Sequence, residues 1–162
     1  MGSIWNHTID DSANEPRKKR FTSCCHRING VIAYGIVNVA FNLAYLTKFL
    51  QNNLFQALQR NSVVIMDNAR FHHSAIVVEA FRVRRAELKF LPPYSPQLNP
   101  IEEVFAMIKN RYRDVRPRPT SPEQMKREVM TIVENLANTS FQNFYSHSKQ
   151  YLTLANRLMQ FL

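Results

Sequence analysis

The chain has 162 residues, of which 45% are hydrophobic, enough for one ordinary core and too few for two full domains. Lysine and arginine number 21 against 12 acids, giving a net charge of +9 and an isoelectric point near 9.9, so an anionic partner, nucleic acid first, is the simplest use of the excess. Eleven Phe and six Tyr against three Gly exclude a low-complexity or disordered chain. No apolar run reaches the ~18 residues that a bilayer span requires, and the first residues lack the order of a secretory signal. The only cysteines, Cys24 and Cys25, adjoin and would point to opposite faces of a strand, which excludes a disulfide framework and predicts a reducing, intracellular setting.

In chain order, residues 1–19 show no sustained periodicity and read as a flexible arm. From Phe21 to Val39, β-branched and aromatic residues flank Asn29-Gly30, a pair suited to a tight type I′ hairpin. Leu46, Phe49, Leu50, Leu54 and Ala57 then recur at three and four, predicting an amphipathic helix from about Phe41 to Leu58. Val63-Val64-Ile65-Met66 is short and wholly apolar, as in a strand covered on both faces, and Asp67 ends it. Ser74 can cap a helix over roughly Ala75 to Arg85, with Val77, Ala80 and Phe81 inward, and Leu88 to Leu91 makes the next strand, completing a strand-helix-strand unit. Pro92, Pro93, Pro96 and Pro100 stiffen the following loop. Asn99 caps a helix whose inward residues are Ile101, Val104, Phe105, Ile108, Tyr112 and Val115. Beyond Pro117 and Pro119, Ser121-Pro122-Glu123-Gln124 is a capping-box start, with Met125, Val129, Ile132, Val133 and Leu136 as the apolar stripe of a helix in a C-terminal helical extension, residues 119–162.

Two carboxylates stand out. Asp67 leaves the carboxyl end of a buried strand, where ligands of open α/β sheets gather, although an aspartate there can equally cap its own turn. Glu102 sits in the first turn of its helix, where it can reach back to the cap. At 100° per residue it lies roughly 110° from the centre of the apolar stripe and Glu103 roughly 150° away, so Glu102 borders the packed face and Glu103 is the fallback. His72 is expected in a supporting role; His73 can do the same or act as a surface histidine. Cys24, Cys25 and His26 lack a second ligand pair at zinc spacing, so no zinc is predicted. Lys109, Arg111, Arg113, Arg116 and Arg118 form a basic run whose only acid is Asp114, suited to phosphate contacts. Arg17, Lys18, Lys19 and Arg20 are contiguous, which fits either a phosphate-binding arm or a nuclear-import signal.

The blocks Val63-Val64-Ile65-Met66-Asp67-Asn68-Ala69-Arg70-Phe71-His72 and Leu91-Pro92-Pro93-Tyr94-Ser95-Pro96-Gln97-Leu98-Asn99-Pro100-Ile101-Glu102 together resemble mariner-superfamily DDE transposases. The second and third catalytic acids of that family would fall on Asp67 and Glu102, with 34 residues between them, and Asn68 and His72 belong to the first block. Phe105 and Lys109 resemble the aromatic and the lysine that follow the third acid. The resemblance is strong from about Ser62 to Arg113 and weaker back to Arg20. It implies an α/β, RNase H-like mixed sheet flanked by helices over residues 20–118. It also implies three carboxylates holding two Mg²⁺ or Mn²⁺ ions for DNA cleavage and strand joining. The first acid of the family ends a strand upstream of the hairpin. Little room remains for that strand here, and Asp10 and Asp11 are poor equivalents.

Three functions follow as expectations. The first is a transposase-derived DDE domain for metal-dependent DNA cleavage and strand transfer, with DNA as partner, a homodimer left open, and activity in doubt for want of the first Asp. The second is a noncatalytic nucleic-acid-binding module, and the third, weaker, an oligomerisation remnant built on the C-terminal helices. The expected location is nuclear in a eukaryote and otherwise cytoplasmic, with no membrane.

Overall fold

A computed structural model describes residues 2–9, 20–37 and 42–159, with side chains described over 24–37 and 42–153. Three strands, β1 (Gly2–Ile9), β2 (Arg20–Arg27) and β3 (Gly30–Val37), form an antiparallel meander. Helix α1 (Leu43–Phe49) runs through a π-helical turn (Leu50–Leu54) into α2 (Phe55–Ala57). Strand β4 (Val63–Met66), a 3₁₀ turn (Arg70–His73), helix α3 (Ala75–Arg84) and strand β5 (Glu87–Phe90) follow. A second 3₁₀ turn (Pro96–Leu98) leads into α4 (Ile101–Asp114), α5 (Pro122–Glu134) and α6 (Gln142–Met159).

The five strands make one sheet in the order β3-β2-β1-β4-β5, with β4 parallel to both β1 and β5. An antiparallel meander joined to parallel strands by a helical crossover is the RNase H-like topology. The expectation that the first strand is missing, and that residues 1–19 form only an arm, is therefore corrected over Gly2–Ile9. Polar Asn6, His7 and Thr8 interrupt the apolar residues and hide the strand from a search for continuous apolar runs, yet β1 occupies the sheet centre.

The sheet separates two apolar layers, and the neighbouring cysteines mark the division. Cys24 packs with Val31 and the inward residues of α4 and α5, whereas Cys25 packs with Ala33, Val64, Met66 and the residues of α1 to α3. Period-two alternation along β2 dictates that split, and burial pushes the Cys24 thiol up to about 12, which keeps it protonated. Ile101, Val104, Phe105, Ile108 and Tyr112 are buried on α4, as their spacing requires.

Several local expectations change. The π-helical turn advances the chain by one residue, so Leu54, Phe55 and Leu58 are buried and Ala57 only partly. In the hairpin, Arg27 pairs with Gly30 and the left-handed region is occupied by Gly30, at φ 131°, and not by Asn29, so the turn is not type I′. The reason is tertiary: a Cβ at Gly30 would lie 2.0 Å from the Ala137 carbonyl oxygen. Ser74 precedes α3, but its hydroxyl makes no cap bond and is buried without a hydrogen-bond partner. By contrast, the Ser121 hydroxyl accepts from the Gln124 N–H at 3.2 Å, as a capping box requires.

Candidate active site

Asp67 stands where β4 ends between two parallel neighbours, the position at which side chains leave the sheet unobstructed. Its Oδ1 accepts the Ala69 N–H at 3.0 Å, the local turn that its sequence position allows. The same oxygen lies 2.5 Å from His72 Nδ1. His72 is buried, held by the 3₁₀ turn after β4 and edge-on to Phe71. Its other nitrogen, Nε2, is buried with no hydrogen-bond partner. A histidine donating from Nδ1 to a carboxylate fixes that carboxylate's rotamer, so the supporting position expected of His72 is filled by direct contact. Asn68 faces the other way: its Oδ1 meets His73 Nε2 at 2.5 Å, and His73 stacks on Phe90 at 3.9 Å between ring centres.

Glu102 reaches the site from the other side. Loop 91–100 leaves β5, with the Leu91 N–H held by the Met66 carbonyl at 2.8 Å, and closes through the Pro96–Leu98 turn. Buried Asn99 accepts the Ile101 N–H through Oδ1 at 3.3 Å, so Asn99 caps α4 through its side chain as its sequence predicts. Burial pushes the Glu102 carboxyl up from its ordinary value; Lys109 opposes this, and the Asp67 charge adds to it. Each carboxylate therefore lies in the other's field, and Lys109, two turns along α4, is the cation of the group. Burial pulls the Lys109 ammonium down, Glu102 raises it and Arg113 lowers it further.

Glu103 is directed elsewhere. His147 Nδ1 of α6 lies 2.9 Å from its Oε1, and α6 also packs on the Pro96–Leu98 turn. Sequence reasoning did not single out His147, because a pairing across 44 positions leaves no local signal. In the basic run, Arg116 Nη1 donates to the Arg113 and Val115 carbonyls, and Arg118 Nη1 donates to the Tyr112 carbonyl at 3.1 Å. These two arginines close the C-terminus of α4, where cations offset the helix dipole. Arg111 and Arg113 are exposed.

The third carboxylate of the resemblance does not appear on β1, whose sequence Gly2–Ile9 contains no acid. Ile4 pairs with Met66, so Ile9 lies about five residues past that pair, roughly 16 Å along the strand. Asp10 and Asp11 lie outside the described residues, as do Arg17, Lys18 and Lys19. Among the described residues no group of three or more His, Cys, Asp or Glu side chains converges. No described helix is long and apolar enough to cross a membrane.

The DDE superfamily endonuclease family matches residues 24–126, a span that includes Asp67, Glu102 and Lys109. The chain belongs to that family. Its fold is that of the Mos1 mariner transposase catalytic domain: the TM-score is 0.70 at 21% identity, covering 92% of this chain and 75% of that one. The Mos1 catalytic domain with Raltegravir and Mg gives 0.72 at 21% identity, over 92% of this chain and 76% of that one. The Mos1 strand transfer complex gives 0.66 at 22% identity, and there the chain spans only 50% of the solved chain's length. No curated protein matches.

Proposed function

We propose that the chain is a transposase-derived DDE domain of the mariner type that acts on DNA phosphodiesters, with Asp67 and Glu102 as the carboxylates that hold a divalent cation. The observation that carries this reading is the placement of Asp67 at the carboxyl end of β4, held there by His72, with the Met66 carbonyl just before it tied at 2.8 Å to the start of the loop that leads into Glu102. A hard cation offsets the charge of two neighbouring carboxylates, and carboxylate oxygens are the donors that Mg²⁺ and Mn²⁺ prefer. Among the described residues the donor set is these two carboxylates, enough for one such ion; β1 over Gly2–Ile9 carries no acid for a second. When bound, the ion supplies Lewis acidity and lowers the pKa of a coordinated water or hydroxyl.

The chain's own residues have definable tasks. His72 and the Ala69 N–H fix Asp67 through Oδ1. The Asn99 cap and the proline loop hold the first turn of α4 and with it Glu102. Lys109 balances Glu102 and can turn to a phosphate once a cation takes over that charge. Related Mos1 structures include catalytic domains with Mg and with Mn and paired-end and strand-transfer complexes, which supports DNA as substrate and assembly of more than one copy.

The test is Mn²⁺-dependent nicking of supercoiled DNA. Nicking by the wild-type chain that disappears in Asp67→Asn and in Glu102→Gln is expected. Equal product from wild type and both variants overturns the catalytic assignment. A second reading, a noncatalytic DNA-binding module, is favoured by the acid-free β1 and predicts DNA binding with no nicking.

A further inference from the structure

At the end of β4 remote from Asp67, an open cleft of about 540 Å³ is lined by Arg60, Val83, Arg84 and Arg85. Two adjoining turns build it. Arg60 lies just before β4, Arg85 just before β5, and the Asn61 N–H donates to the Arg85 carbonyl at 3.2 Å. The next rung, Glu87 N–H to the Ser62 carbonyl at 2.9 Å, locks the two turns together. The Arg84 guanidinium is anchored on the Phe55 carbonyl.

The nearby acids are already committed. Glu79 binds Arg82 through both oxygens, at 2.7 Å each, and Glu87 pairs with Lys89 at 3.2 Å. Among the described residues, then, no carboxylate pairs with Arg60, Arg84 or Arg85, and three arginines line one cleft. A helix C-terminus such as that of α3 attracts one cation to its carbonyls, a role that accounts for Arg84 or Arg82 but not for three unpaired charges. Arg85 also sits in the left-handed region at φ 56°, where glycine or asparagine is the usual occupant.

We propose that this cleft is a second anion site that takes phosphodiester groups of DNA, distinct from the carboxylate centre. The proposal rests on the reading of the chain as DNA-binding. From Arg60 to Asp67 is seven residues, at most about 23 Å of extended chain, so one duplex passing both ends of β4 would contact them about two-thirds of a helical turn apart. Guanidinium groups suit the task because their planar donors bind phosphate oxygens in pairs.

The experiment measures duplex binding by the full chain against salt concentration, without divalent cation, so that its outcome is independent of nicking. Arg60→Ala with Arg85→Gly should lower the slope of log affinity against log salt by roughly 2, whereas Arg60→Lys with Arg85→Lys should keep it. Glycine suits the backbone at 85, and thermal melting confirms that the variant is folded. An unchanged slope in the folded variant overturns the proposal while leaving the carboxylate site untouched. Inorganic phosphate is the second probe: saturable phosphate binding that the double substitution abolishes, with the duplex slope unchanged, also overturns the assignment to DNA.

Discussion

The charge on Glu102 is the most sensitive reporter of the site. Its carboxyl titrates above its ordinary value, first because it is part-buried and then because Asp67 is close, with Lys109 only partly compensating. For an acid whose folded-state pKa is raised, the associated stability is fully present below the unfolded value near 4.5 and is lost as pH rises through the folded one. Glu102→Gln should therefore raise the metal-free melting temperature at pH 7, with the gain vanishing below about pH 4.5. Thermal melts of both proteins at the two pH values check this, and a lower melting temperature for the variant at pH 7 would contradict it. Added Mg²⁺ reverses the ranking, because a cation that binds only the folded wild type stabilises it by mass action. The sequence offered both acids as candidates, Asp67 from its place after an apolar strand and Glu102 from its helix phase, and the resemblance to mariner-superfamily transposases joined them. His72's grip on Asp67 was legible only as proximity, and the His147 contact to Glu103 not at all, because it is made by a helix far along the chain.

Among the elements, those with one strong local signal read true. The stripes of α4 and α5, the β4 run and the Ser121 cap all depend on neighbours within a few positions. Elements set by tertiary contact did not. Strand β1 has a partly polar sequence with no sustained alternation and belongs to the sheet because β2 and β4 both pair with it. Gly30 was assigned to a turn type, whereas its conformation is fixed by the approach of the loop after α5, where the Val31 N–H donates to the Leu136 carbonyl at 3.2 Å. Gly30→Ala should accordingly cost at least ~2–3 kcal/mol through combined clash and backbone strain, well beyond an ordinary turn substitution. Urea denaturation measures it, and a loss below about 0.5 kcal/mol would show that the two segments are not in contact.

For the molecule as a whole, the RNase H-like sheet sets β4 beside β5, and the Leu91 N–H to Met66 carbonyl bond ties the strand end before Asp67 to the loop that leads to Glu102, with 34 residues between the two acids. The net charge of +9 is distributed less simply than the basic run suggests. Arg116 and Arg118 close α4, Lys109 faces Glu102, and a separate trio of arginines stands at the far end of β4. Calorimetric titration of Mn²⁺ into the wild type, Asp67→Asn, Glu102→Gln and the double variant tests most directly whether the two carboxylates share a cation. Each single substitution should weaken binding at least about tenfold, roughly 1.4 kcal/mol, and the double variant should lose little more than either single one. Mn²⁺ binding at wild-type strength in Glu102→Gln, or strictly additive losses in the double variant, would contradict a shared site.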